Sequence, residues 1–92
     1  MTKKDLVGKI AEDARLTRAQ ATAALEAIVE GIRTSLVRGD RVTISGFGAF
    51  SVSHRKARRV RNPVDGGAME IRAKRVPRFA PGADLRSVVA RD

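Results

Sequence analysis

The sequence of 92 residues contains no cysteine, tryptophan or tyrosine, a single histidine, and only three aromatic residues, Phe47, Phe50 and Phe79. Without cysteine there can be no disulfide or thiolate metal site, and nothing implies an oxidising compartment. With so few large side chains the core of a small domain is thin, which points to a second subunit completing it. No apolar run approaches the roughly 18 residues of a membrane span, and the opening MTKKDLVGKI lacks the apolar stretch of a secretion signal. These absences predict a cytoplasmic protein without a membrane partner.

Catalytic constellations are missing as well. The one histidine, His54, has neither a cysteine nor clustered carboxylates near it. Asp5, Glu12, Asp13, Glu26 and Glu30 fall at helical spacing beside cations, where caps and solvated faces account for them. Gly46-x-Gly48 lacks the third glycine and the strand-to-helix setting of a phosphate loop, and no metal-ligand spacing occurs. The expectation is a protein that is not an enzyme and uses no cofactor, metal or small-molecule substrate.

Positive charge is abundant. The chain has 19 Lys and Arg against 10 Asp and Glu, a net charge of +9. Residues 1–50 hold eight cations and six acids, whereas residues 51–92 hold eleven and four. A near-neutral half joined to a basic half is the layout of a scaffold carrying an element that binds a polyanion.

Periodicity divides the same halves. Thr2 and Asp5 have capping-box spacing, and Leu6, Val7, Ile10, Ala11 and Ala14 then recur at helical intervals, predicting a helix over residues 3–14. Thr17 and Gln20 repeat the box before a broad stripe of Ala21, Ala24, Leu25, Ile28, Val29, Ile32 and Leu36 that ends at Gly39, so a longer helix is expected over 18–38. That stripe is wider than the first helix can cover, a second sign of a partner. Past Asp40 the period becomes two: Val42 and Ile44, then Phe50 and Val52, alternate with polar or small residues around a Gly46-Phe47-Gly48 turn.

The second of these strands outlasts its apolar alternation. Residues 54–61 read HRKARRVR, with Arg55, Arg59 and Arg61 on one side of an extended strand and Lys56 and Arg58 on the other. Cations on both sides keep this segment off any core. After a turn over 63–67, Met69, Ile71 and Ala73 alternate with Glu70, Arg72 and Lys74, so the chain returns antiparallel. The nine residues of 54–62 reach roughly 30 Å when extended, which predicts a projecting hairpin. Phe79 is expected to rejoin the core, and Pro81-Gly82 to precede a short helix over 83–90 with Leu85, Val88 and Val89 on its buried face.

A two-stranded ribbon with cations on both sides fits a groove of duplex DNA and can meet phosphates on both walls. Single-stranded RNA is disfavoured because the arm has no aromatic stacking platform, and a membrane surface because the cations do not lie on an amphipathic helix. A site-specific DNA bender, an RNA-associated structural protein and a module for acidic proteins remain as alternatives.

The run GFGAFSVSHRKARRVRNPVDGG, residues 46–67, resembles the signature of the bacterial HU and integration host factor family of histone-like architectural DNA-binding proteins. The likeness extends over essentially the whole chain and includes Thr17, Gly39-Asp40, Arg55, Arg58, Arg75-Val76-Pro77, Phe79 and Gly82. It implies an α+β fold of two N-terminal helices, a three-stranded antiparallel sheet extended into a long β-ribbon arm, and a short C-terminal helix, in an intertwined dimer. One domain over 1–92 is expected, with a helical base at about 1–40, the sheet and arm at about 41–80, and the final helix at about 83–90.

The resemblance further implies a homodimer, or a heterodimer with a paralogue, whose arms enter the minor groove and whose tip proline, here Pro63, inserts between base pairs. This wedge mechanism belongs to the family's description and is carried over from it. The DNA-binding residues expected are Arg55, Lys56, Arg58, Arg59, Arg61, Asn62, Pro63, Arg72, Lys74, Arg75 and Arg78, in a nucleoid-associated cytoplasmic protein. Four positions depart from the pattern: Ser53 where arginine is frequent, Val60 where glycine is, Arg72 where proline is, and Ala80 where lysine is.

Overall fold

The structure, a computed structural model, describes residues 1–91. Its elements are α1 (Lys3–Ala14), α2 (Arg18–Val37), β1 (Val42–Ile44), β2 (Gly48–Arg55), β3 (Arg58–Arg61), β4 (Ala68–Ile71), β5 (Lys74–Pro81) and α3 (Ala83–Val89), an α+β arrangement. Both capping boxes form: Thr2 Oγ1 accepts from the Asp5 N–H while Asp5 Oδ2 accepts from the Thr2 N–H, and Thr17 and Gln20 repeat the exchange. At its far end α2 closes in a Schellman motif. Gly39, at φ +84°, donates to the Leu36 carbonyl, and Asp40 to that of Ser35.

Strands β1, β2 and β5 form one antiparallel sheet in that order, and β3 and β4 form a second two-stranded sheet. In the first, Phe50 lies opposite Phe79, Val52 opposite Pro77 and His54 opposite Arg75. The ring of Phe79 packs between Phe47 and Phe50, with centroids 5.3 Å and 4.9 Å away. Gly48 is required beneath it, since a Cβ there would come within 2.7 Å of the Phe79 ring.

Little of the apolar surface is buried within one chain. Val7, Ala21 and Ala49 are the buried hydrophobic residues, while Phe47 and Phe79 remain 44% and 41% exposed. The expected buried face of the last helix is covered only in part: Leu85 is half-buried, whereas Val88 and Val89 are exposed. The accessible surface of 7699 Å² exceeds the roughly 5,200 Å² of a folded monomer of this mass. Shape explains part of the excess: the chain extends 60 × 34 × 26 Å, with a radius of gyration of 19.1 Å against about 12 Å for a compact domain of this length.

Candidate nucleic-acid interface

The alternation of a strand divides the basic segment between two tasks. On β2 and β5, one face carries Phe50, Val52, Pro77, Phe79 and Arg75, and the opposite face carries Ser51, Ser53 and Arg55 beside Lys74, Val76 and Arg78. The first face looks onto α2. There Arg75 Nη2 donates to the carbonyls of Leu36 (3.0 Å) and Val37 (2.9 Å), placing a cation at the C-terminal carbonyls of the helix. Arg75 was expected among the DNA-binding cations; its Nη2 also ties the sheet to the end of α2, while the residue stays exposed. Its neighbours Lys74, Arg55 and Arg78 are exposed and have no hydrogen-bonded partner among the described residues.

Beyond Arg55 the ladder is interrupted. Arg55 pairs with Lys74 and Arg58 with Ile71 in one common register, so two residues in each strand, Lys56-Ala57 and Arg72-Ala73, leave the ladder without a slip. The single ribbon expected from sequence is therefore two ribbons in series. Arg55, Lys56, Arg58, Arg72 and Lys74 crowd this joint, where with Ile71 they line a concave notch of about 500 Å³. The notch has no carboxylate, and none of its cations is in an ion pair. Such a concentration of unpaired donors and charge is suited to phosphate oxygens.

The outer ribbon has two unlike faces. Arg59 and Arg61 share one with Ala68 and Glu70, whereas Arg58 and Val60 share the other with Met69 and Ile71. Val60, where a glycine would loosen the arm, pairs directly with Met69 and is half-buried. A β-branched residue in this place favours the pleated conformation, so the outer ribbon stays regular up to its turn.

At the tip, the backbone N–H of Asn62 donates to Gly67 O (2.7 Å) and that of Gly66 to Asn62 O (2.8 Å), closing a loop over residues 63–66. Asn62 Oδ1 accepts from the Val64 N–H, and Asp65 Oδ1 from the Gly67 N–H. Gly66 takes φ +76°, a conformation glycine adopts without strain. Pro63 thus stands exposed at the head of a turn braced by its neighbours. The resemblance placed Asn62 before the tip proline; the structure adds that its side chain organises the turn.

Among the described residues no group of His, Asp or Glu could hold a metal ion, and no helix is long and apolar enough to cross a membrane.

Comparison with known proteins agrees with this geometry. The family model described as bacterial DNA-binding protein matches residues 1–90. The chain is 47% identical over 89 residues to DNA-binding protein HU-alpha of Vibrio proteolyticus, covering 97% of this chain and 99% of that one. It is 43% identical over 89 residues to DNA-binding protein HU of Staphylococcus aureus, covering the same shares. Among solved structures, the Anabaena HU–DNA cocrystal structure matches with a TM-score of 0.87 and 47% identity over 98% of both chains. Thermotoga maritima HU matches with a TM-score of 0.69 and 29% identity over 97% of this chain and 98% of that one. With its whole length accounted for in this way, the chain belongs to the HU family of bacterial DNA-binding proteins, a family of structural proteins and not of enzymes.

Proposed function

We propose that this protein is an architectural DNA-binding protein that works as a dimer, grips duplex DNA through the minor groove largely without sequence preference, and bends it. The observation that carries the reading is the arm itself: a ribbon with unpaired cations at its joint and on both of its faces, ending in an exposed proline. Arg55, Lys56, Arg58, Arg59, Arg61, Arg72, Lys74 and Arg78 displace counterions from phosphates, and Pro63 pries open a base step. Asn62 supports Pro63 by holding the turn.

A second copy of the chain is the partner that best accounts for the open apolar surface. Ile28, Val29 and Val37 are exposed along α2, and a groove of about 430 Å³ runs between that helix and the sheet, lined by Val29, Ile32, Leu36, Val37, Val52 and Pro77. Closing such surfaces restores the transfer free energy that the single chain forgoes. Sedimentation of the purified protein is expected to give a dimer, and co-purification of a different chain would indicate a paralogue. Its place in the cell is the nucleoid.

The test uses end-labelled duplexes and energy transfer. Wild type is expected to shorten the end-to-end distance at saturation, and Pro63→Ala to bind within a few-fold of wild type yet shorten it less. If roughly 6 to 10 phosphates are neutralised, log Kd depends on log salt with a slope magnitude near 5 to 9. A slope near zero would refute the electrostatic account. Scrambled duplexes at matched salt are expected to compete almost equally, and duplex RNA poorly.

A further inference from the structure

The apex of the arm carries a second apolar side chain. Val64, the residue after Pro63, is 92% exposed, more than any other large hydrophobic residue of the chain. The fold gives it nothing to pack against, and its β-branched side chain loses little freedom when ordered.

Its surroundings favour an apolar target over a phosphate. The N–H groups of Asn62, Val64, Gly66 and Gly67 all donate within the loop, and Pro63 has none to offer. Residues 62–67 contain no cation, and the one charged group, the Asp65 carboxylate, repels anions. A tip whose backbone N–H groups are mostly used within the loop, negative where it is charged and led by two adjacent apolar side chains, is complementary to an apolar surface. On DNA, such surfaces are the faces of unstacked bases and the sugar edges of the groove.

We propose that Val64 is a second element of the wedge, packing beside Pro63 against the base step that Pro63 opens and so setting the degree of bending. This inference rests on the reading of Pro63 as a wedge. It divides the arm's work: the cations up to Arg61 supply affinity, and the pair Pro63 and Val64 supplies distortion.

The test compares wild type, Pro63→Ala, Val64→Thr, Val64→Lys and the double variant Pro63→Ala/Val64→Thr on one end-labelled duplex at saturating protein. Threonine keeps the shape of valine and adds a hydroxyl, while lysine adds a cation. Val64→Thr is expected to keep Kd within about threefold and the salt slope unchanged, because no phosphate contact is lost, while losing about half of the change in energy transfer. Val64→Lys is expected to steepen the salt slope and yet bend less, and the double variant to bend least. Bending by both Val64 variants equal to wild type, with Pro63→Ala still impaired, would overturn the inference alone. Absence of bending by wild type would overturn the wedge reading and the inference with it.

Discussion

The body and the arm of this protein are both built from antiparallel β-strands, but under opposite rules. In the body, β2 and β5 place aromatic and aliphatic residues on the face toward α2, and even a cation there, Arg75, is drawn into the fold by the carbonyls at the end of that helix. In the arm the ladder holds only the backbone, and nearly every side chain is left to solvent. Residues one apart in sequence consequently serve different ends, as Lys74 and Arg75 do, because adjacent strand residues point to opposite faces. Positive charge alone does not tell which cations are tied to the body; the face on which each lies does.

The contrast can be broken from either side. Phe79→Ala should have the largest effect on the body: it removes the ring that joins Phe47 and Phe50, and a loss of about 3 kcal/mol or more is expected, read from urea denaturation at fixed protein concentration. Any remaining folded protein should retain its arm cations and its salt-dependent binding.

On the arm side, the triple variant Arg55→Ala/Arg58→Ala/Arg61→Ala should weaken duplex binding by about 100-fold or more at 0.1 M salt. In a dimer it removes roughly six phosphate contacts and flattens the log–log salt slope by roughly 5. Its thermal midpoint should stay close to that of wild type, since these side chains support nothing in the body. A large fall in stability would mean that the arm and the body are not separable.

Arg75→Gln sharpens the comparison at its boundary. Loss of the charged donor at the α2 C-terminus should cost about 1–2 kcal/mol of stability, with Kd at low temperature changed less than by Lys74→Gln on the opposite face. The reverse ranking would return Arg75 to the binding surface. The smallest effect is expected from Val60→Gly, which removes a cross-strand partner of Met69 and costs about 1 kcal/mol of arm order, equivalent to roughly fivefold in Kd. Faster amide exchange confined to β3 and β4 would accompany it.

Much of this architecture was legible in the chain because its signals are local. Capping boxes and glycine C′ residues act within four or five positions, so α1 and α2 were bounded to within a residue. The period-two alternation and five cations among the eight residues 54–61 identified a hairpin that no core could accept. Two features were hidden. The joint at Lys56-Ala57 and Arg72-Ala73 interrupts a ladder whose register is the same on both sides, and no local pattern in either strand marks the break. The exposure of Val88 and Val89 beside a half-buried Leu85 was hidden as well, since residues keep the same helical spacing whether covered or bare.

By itself, then, the sequence determined the elements, the basic arm and the proline at its tip, since hydrogen-bond caps, side-chain period and charge are properties of neighbouring residues. The tertiary structure decided which cations are free. Arg75 reaches carbonyls 38 and 39 residues away, a contact that no local pattern encodes, and the strand face that carries it there leaves Lys74 and Arg78 outside. It likewise decided the character of the tip. Only the folded loop shows the N–H groups of Asn62, Val64, Gly66 and Gly67 turned inward, leaving Pro63 and Val64 to meet whatever the arm encloses.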